Sequence, residues 1–338
     1  MWFPSESPLG GERAKTMETI LIALDPGTLS SDQLARVRET APDGTPVVMT
    51  RDWGAMRGLL DRVEVVAGWF PARLLPQAPE LRWYQQWSAG ADWLLDHPEA
   101  AEADFVLTST SGIHAIPVTE HVFALLLAFA RELPRALRSQ DQHQWIPYSE
   151  HEELFELSGR TMLLVGVGAI GARIAHVAAA MGMRVLGVRR DPTLDSPGVD
   201  RMAGPDDIVS LLPEADMVVL TVPLTEETEG MIGERELLAM KESAILVNVG
   251  RGGTIDEAAL ARALREGKIA GAALDVWETE PLPTTSPLWD LDNMIITAHY
   301  AGATPHYHER ALNIFLDNLR RYIAGKPLRN AVDKDLGY

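Results

Sequence analysis

The sequence predicts an α/β protein made of two doubly wound parallel sheets. Short apolar runs alternate with helix-like segments along nearly all of the chain, and they do so in two separate series. A glycine pattern at the head of the second series adds a third indication. With 338 residues, 46% of them hydrophobic, the chain is long enough for about two domains at roughly 100–200 residues each.

The first series consists of runs at residues 20–24, 46–49, 63–69, 83–87 and 105–108. Helix-like or loop segments separate them, such as residues 32–40. Residues 119–138 are rich in Ala, Leu and Phe around most of the helical circumference, which predicts one long, largely buried helix. Residues 139–157 mix His with acidic groups and show little periodicity, so an exposed arm is expected there. The second series has runs at 162–165, 185–188, 217–221, 245–249, 270–275 and 294–297, with helices at 171–181, 234–240 and 256–266. Six strands with intervening helices is the count of a nucleotide-binding sheet. A last helical pattern covers residues 309–324, and no repeat or low-complexity tract interrupts the chain.

The formal charge is -18, from 48 acidic and 30 basic residues, a field that repels nucleic acid and anionic membranes. There is no cysteine, which excludes disulfides, thiol nucleophiles and Cys-ligated metals and fits a cytoplasmic protein. No metal site is expected. No apolar run reaches 18 residues; the longest, 122–130, is nine. Residues 1–15 lack a signal-peptide core, and because the first strand-like run begins at Met17, residues 1–16 are expected to be a flexible extension.

The strand at 162–165 runs into Gly166-Val167-Gly168-Ala169-Ile170-Gly171 and then a helix, the context that makes G-x-G-x-x-G a dinucleotide cradle. Gly166 permits the tight turn, Gly168 lets the backbone approach a pyrophosphate, and Gly171 allows close helix–strand packing. A packing turn, or a nucleotide site of another class, would show the same glycines. At the end of the next strand, where an acid would hold a ribose 2′-hydroxyl, stand Arg189 and Arg190, with Asp191 behind them. Two guanidiniums suit a 2′-phosphate, so NADP(H) is favoured, with NAD(H) possible if the arginines are a solvated pair and Asp191 reaches the ribose.

Three later segments carry groups suited to reducing a 2-keto acid. Arg251 stands between glycines at the carboxyl end of a strand, where open α/β sheets bind ligands and a guanidinium can grip a carboxylate. The second is Leu274-Asp275-Val276-Trp277-Glu278-Thr279-Glu280-Pro281, and the third begins with His299 directly after a strand. Each alone has an ordinary explanation as an ion pair, a turn carboxylate or a structural histidine. His114, His121, His143 and His151 lack such company and read as structural or solvated. Trp53, Trp69 and Phe70 lie at or after the ends of early strands, where lining a pocket, packing the core and surface contact all fit.

In order and spacing these segments resemble the D-isomer specific 2-hydroxyacid dehydrogenase family, in particular its glyoxylate and hydroxypyruvate reductases. The resemblance runs from about Met17 and includes Trp87 to Asp92, residues 112–121, the cradle, Val222-Pro223-Leu224-Thr225 with Thr228, Met240-Lys241, and the three segments above. It implies that Arg251 binds the substrate carboxylate, that His299 is the acid–base group and that Glu280 pairs with it. A carboxylate partner is expected to favour the protonated imidazole. The resemblance further implies cofactor contacts at Gly166, Gly168, Ala169, Ile170, Gly171, Arg189, Arg190, Val222, Pro223, Thr228, Val249, Asp275 and Gly302, with Asp275 receiving the nicotinamide carboxamide. The backbone amides of Ala89 and Gly90 would complete the carboxylate site. Glu280 stands where the formate dehydrogenases resembling this family carry glutamine, which argues against that activity. No regulatory domain is expected after Tyr338.

The expected layout is two α/β domains of Rossmann-like and flavodoxin-like type. A discontinuous substrate domain would cover residues 17–114 and 303–338, and a dinucleotide domain 115–302. The active site would lie in the cleft between them, closing to exclude water. The helix at 119–138 and its arm resemble the family's dimerisation elements, which implies a homodimer. Two alternatives stand beside the reductase: a dinucleotide-sensing corepressor-like binding protein, and an NAD-dependent hydrolase that retains its cofactor.

Overall fold

The computed structural model describes residues 17–94, 96–147 and 154–334. The extension expected over residues 1–16 lies outside that range, as does the middle of the expected arm, residues 148–153. In chain order, the elements begin with β1 (Thr19–Ala23), α1 (Ser31–Thr40), β2 (Val47–Met49), α2 (Trp53–Arg57), β3 (Val63–Gly68), β4 (Trp83–Gln86), α3 (Pro98–Ala101) and β5 (Val106–Thr108). Then come α4 (Ala115–Ala130), α5 (Leu133–Asp141), β6 (Thr161–Val165), α6 (Ala169–Ala180), β7 (Arg184–Val188), β8 (Arg201–Ala203) and α7 (Ile208–Leu211). The rest are β9 (Met217–Leu220), α8 (Glu234–Ala239), β10 (Ile245–Asn248), α9 (Glu257–Arg265), β11 (Gly271–Leu274), β12 (Met294–Ile296) and α10 (Tyr307–Ile323).

The chain divides into two compact units. One runs up to Ile113 and resumes at Thr304; the other is His114–Ala303. The first unit holds a five-stranded parallel sheet in the order β2-β1-β3-β4-β5. Its strands are covered on both faces, which is why they read as unbroken apolar runs rather than as alternations. Successive side chains still part to opposite faces: Leu21 and Ala23 join one core, Ile20 and Ile22 the other. On the second face α10 packs beside α1, and Phe315 stacks on Trp83 with centroids 5.3 Å apart.

The second unit is a seven-stranded parallel sheet ordered β12-β11-β10-β9-β6-β7-β8. The order reverses at β6, and this topological switch point is where such sheets bind nucleotides. Leu163, Val165, Leu246 and Leu274 face one core, and Met162, Leu164, Val247 and Ala273 the other.

Three expectations need correction. The sheet has a seventh strand, β8, which was missed because an edge strand exposing Arg201 forms no apolar run. The single helix over 119–138 is two helices, α4 and α5, divided at Glu132, which adopts a left-handed backbone (φ 49°, ψ 36°). Pro134 explains the break, because in a continuous helix its ring would meet the carbonyl of Ala130. The end of the expected exposed arm is not exposed, since Leu157 is buried and Phe155 packs against the second unit's core.

Candidate active site

The turn from β6 into α6 leaves a helix N-terminus open. Gly166 has φ 101°, a left-handed conformation that favours glycine. A Cβ on Gly171 would lie 2.1 Å from the Gly166 carbonyl oxygen, so only glycine lets helix and strand approach this closely. Gly168 differs from both: a Cβ there would meet nothing within 4 Å. No packing constraint accounts for glycine at 168, whereas a ligand drawn close to the backbone would. Gly168 is the N-cap of α6 and offers no side-chain cap, so amides of the first turn, including those of Ala169 and Ile170, remain available to an anion. These features fit a dinucleotide pyrophosphate.

Arg189 and Arg190 follow β7, Arg189 half-buried and Arg190 exposed. Arg190 lies 3.7 Å from Glu227, an exposed and therefore weak pair. Asp191 is turned into its own loop. Its Oδ1 accepts from the hydroxyl and the backbone N–H of Thr193, and these hydrogen bonds hold its carboxyl below the usual carboxylate range. Val222 and Pro223 follow β9, and Thr228 braces their turn by donating to the Pro223 carbonyl (2.7 Å) and accepting from Thr225 N–H (2.8 Å). Val249 is buried beyond β10, and Gly302 packs against the His114 ring, whose Nδ1 is 3.1 Å from the Gly302 carbonyl oxygen.

Arg251, Glu280 and His299 follow β10, β11 and β12, three adjacent parallel strands, so all three leave the sheet at its carboxyl edge. The loop carrying Arg251 is shaped by fully buried Asn248, which accepts from Gly250 N–H (3.0 Å) and donates to the Arg251 carbonyl (2.9 Å). Thr254 donates to that same carbonyl at 2.7 Å.

His299 Nδ1 lies 2.8 Å from Glu280 Oε2. The other carboxylate oxygen, Oε1, accepts from Trp277 N–H at 3.1 Å, so Glu280 is fixed by the chain on one side while it orients the imidazole on the other. Both side chains are partly exposed, at 50% and 37%. The contact through Nδ1 leaves Nε2 as the nitrogen able to exchange a proton with a ligand.

His299 has φ 52°, an uncommon conformation for a non-glycine residue, and the surrounding bonds show how it is held. Its N–H donates to the Asp275 carbonyl at 2.8 Å. The Asp275 carboxylate, 1% exposed, accepts from the Thr297 hydroxyl (2.6 Å), Tyr300 N–H (3.1 Å) and Ala301 N–H (2.9 Å). Asp275 is therefore first an anchor for the turn that carries His299. Of the carboxylate's roughly four lone-pair positions, one on Oδ2 remains for any other donor. His121 completes the group: its Nε2 lies 3.1 Å from Thr297 Oγ1 and 3.7 Å from Asp275 Oδ1. Burial pushes the His121 imidazole below its ordinary value, and the nearby Asp275 charge opposes that shift. Asn248, Thr254 and Thr297 had drawn no functional reading from the sequence. Their signal is only a polar residue at or near a strand end, which many surfaces share.

Ala89 and Gly90 belong to the first unit, in the loop after β4. Gln86 clamps that loop: its side-chain amide donates to the carbonyls of Ser88 (3.2 Å) and Gly90 (2.7 Å), and its Oε1 accepts from Trp93 Nε1 (2.8 Å). The Ala89 and Gly90 amides donate to no other described residue and are partly exposed. Among the described residues, no helix is long and apolar enough to cross a membrane, and no group of three or more His, Asp or Glu side chains is gathered as for a metal.

Comparison with known proteins places this geometry in context. Residues 123–301 match the model of the D-isomer specific 2-hydroxyacid dehydrogenase NAD-binding domain. The chain is 36% identical over 308 residues to a glyoxylate reductase of Korarchaeum cryptofilum, covering 88% of this chain and 89% of the relative. Among solved structures it resembles a D-isomer specific 2-hydroxyacid dehydrogenase from Xanthobacter autotrophicus in complex with NADPH and MES, at TM-score 0.81 and 28% identity over 95% of this chain and 100% of that one. It also resembles an NADPH-dependent glyoxylate/hydroxypyruvate reductase from Sinorhizobium meliloti in complex with NADP and sulfate, at TM-score 0.80 and 25% identity over 95% and 100%.

Proposed function

The chain belongs to the D-isomer specific 2-hydroxyacid dehydrogenase family, and we propose that it reduces a short 2-keto acid, of the glyoxylate or hydroxypyruvate kind, to the D-2-hydroxy acid. Membership makes it an NAD(P)-dependent oxidoreductase. The observation that carries the specific reading is the His299–Glu280 contact of 2.8 Å on the strand edge that also bears Arg251.

In this reading the dinucleotide supplies the hydride, and the remaining work falls to side chains of the protein. The Arg251 guanidinium takes the substrate carboxylate and polarises the carbonyl, with the Ala89 and Gly90 amides as further donors. His299 presents a proton on Nε2 and delivers it to the carbonyl oxygen, accepting it back in the reverse direction. Such general acid catalysis contributes roughly 10²–10⁴-fold in rate. Glu280 holds the imidazole in the orientation that keeps Nε2 toward the substrate. Gly166, Gly168, Ala169, Ile170 and Gly171 cradle the pyrophosphate, while Val222, Pro223, Thr228, Val249 and Gly302 border the dinucleotide. The nicotinamide carboxamide would use the remaining lone pair of Asp275.

The preference for NADPH rests on two arginines after β7, Arg189 half-buried and Arg190 exposed, and on Asp191 being occupied with Thr193. Similar proteins solved with NADPH or NADP support it. We assign residues 17–114 and 303–338 to the substrate domain and 115–302 to the dinucleotide domain. A cytoplasmic homodimer completes the proposal, supported by the cysteine-free composition and by exposed Leu133, Leu137 and Trp145 around α5. The corepressor-like alternative draws no support from these relatives, which are named as enzymes.

The test is the loss of reduced-nicotinamide absorbance with NADPH or NADH against glyoxylate, hydroxypyruvate and pyruvate. Faster loss with NADPH, and a lower NADPH-to-NADH ratio of kcat/KM in Arg189→Ala, is the expected result. Folded protein that binds dinucleotide but turns over no 2-keto acid would overturn the reading.

A further inference from the structure

The first unit contains a cavity of about 610 Å³ at the carboxyl ends of β1 to β4. That size lies within the range of roughly 300–1,000 Å³ typical of small-molecule sites. Its walls include Trp53, Met56, Trp69, Phe70, Tyr84 and Trp93. Glyoxylate has no carbon 3, and hydroxypyruvate has only a hydroxymethyl group there, so either would leave most of this space unfilled.

Several polar atoms around the cavity already have partners. The Tyr84 hydroxyl donates to the Gly68 carbonyl (3.1 Å) and accepts from Phe70 N–H (3.2 Å). Trp93 Nε1 and the Gln86 amide serve each other and the loop at 88–90. Arg51 pairs with Asp25 at 3.0 Å, and His97 Nδ1 lies 3.2 Å from Glu99. Ring surface is therefore most of what remains for a ligand, beside the indole N–H groups of Trp53 and Trp69 and the further N–H groups of Arg51. Phe70 and Tyr84 meet edge to face at 6.3 Å, and Tyr84 and Trp93 are tilted at 6.4 Å, so they form a packed aromatic wall against which a further ring can lie. Trp53 and Trp69 are 40% and 41% exposed, a large apolar area left open to water unless something covers it.

The cavity has a fixed relation to the proposed carboxylate donors. Ser88 lines it, and the next two residues are Ala89 and Gly90, whose amides are available. Consecutive Cα atoms are about 3.8 Å apart, so those amides lie within a few ångströms of the part of the wall that Ser88 forms. A carboxylate on those amides would send its carbon-3 substituent into the aromatic walls.

We propose that this enzyme takes 2-keto acids bearing an aromatic group on carbon 3, with the ring seated among Trp53, Trp69, Phe70, Tyr84 and Trp93; the inference rests on the reductase reading above and extends its substrate class. The reaction is unchanged. Hydride adds to carbon 2, a proton adds to the carbonyl oxygen, and NADPH becomes NADP⁺. One extra methylene in an apolar pocket is worth about 10–200-fold in kcat/KM, so an aryl group should exceed a bare hydrogen by tenfold or more.

The experiment measures initial rates of hydroxy-acid formation by the full chain with NADPH, comparing phenylpyruvate and indole-3-pyruvate with glyoxylate and hydroxypyruvate. It is repeated with Trp69→Ala and Trp53→Ala, two partly exposed positions where truncation spares the core. The expected result is at least a tenfold preference for an aryl substrate, with the aryl-to-glyoxylate ratio falling fivefold or more in Trp69→Ala. Turnover of glyoxylate without an aryl preference overturns this inference and leaves the reductase reading standing. An aryl preference that neither tryptophan variant reduces also overturns it, because the ring then sits elsewhere. No turnover of any of the four substrates overturns the reductase reading itself.

Discussion

The two units solve the same local problem in opposite ways. The first strand of each parallel sheet leads through a turn into a helix, β1 into α1 and β6 into α6. In the first unit the chain satisfies its own helix N-terminus. Ser30 accepts from Gln33 N–H, and the Gln33 side chain accepts from Ser30 N–H, a closed capping box with Asp32 in the first turn. In the second unit Gly168 occupies the cap position, no side chain covers the amides, and no acidic residue stands in the first turn. The helix dipole and the orphan donors are present in both units, but only the second leaves them to a ligand. The fold supplies phosphate-binding potential twice, and the cap residue determines where it is used.

That contrast can be broken at its strongest point first. His299→Asn should lower kcat/KM by roughly 10²–10⁴ while dinucleotide titration stays near wild type, since the cradle and the acid lie at different strand ends. Near-normal turnover would remove His299 from the chemistry. Gly168→Asp should give the second unit the first unit's solution: a carboxylate capping α6 where the pyrophosphate is proposed to bind. The open space around that position predicts a folded protein whose dinucleotide Kd, read by fluorescence titration, rises roughly 10–100-fold. Unaltered affinity would mean that the phosphates do not use this N-terminus.

Three residues on, the same kind of change should act on stability instead. Gly171→Ala forces a Cβ against the Gly166 carbonyl and should cost about 1–3 kcal/mol, measured by urea denaturation. The smallest effect concerns His121. Its imidazole is pushed down by burial, so the unfolded chain binds the extra proton more readily than the folded one, and stability rises with pH. This contribution is complete above the unfolded value near 6.5 and is lost as pH falls through and below it. His121→Gln should therefore flatten the dependence of Tm on pH between about 7.5 and 5.5. Parallel curves for the two proteins would show that another group governs that window.

Most strands were legible because burial on both faces turns them into continuous apolar runs, as in β1, β6 and β10. β8 was not, because a short edge strand has little apolar content to reveal it. The division of the long helix turned on Glu132 and Pro134, and the broad apolar composition around them concealed it. At the candidate site, Arg251, Glu280 and His299 stood out by spacing and by their place after strands. The anchoring of the His299 turn by Asp275 and Thr297, with His121 behind them, did not, because those partners come from α4, the end of β11 and the end of β12. Tyr84 and Trp93 were likewise unremarkable until Trp53, Trp69 and Phe70 were seen around the same cavity.

By itself, then, the sequence determined the α/β class, the cradle and the identity of the polar groups at the strand ends. Each of these is written in a local pattern: a period, a turn composition or a residue following an apolar run. Only the tertiary structure decided which groups anchor the turn that carries His299, and which aromatic rings enclose a common space. Those outcomes depend on hydrogen bonds and packing between residues brought together by the order of strands in a sheet, and strand order has no local signature in the chain.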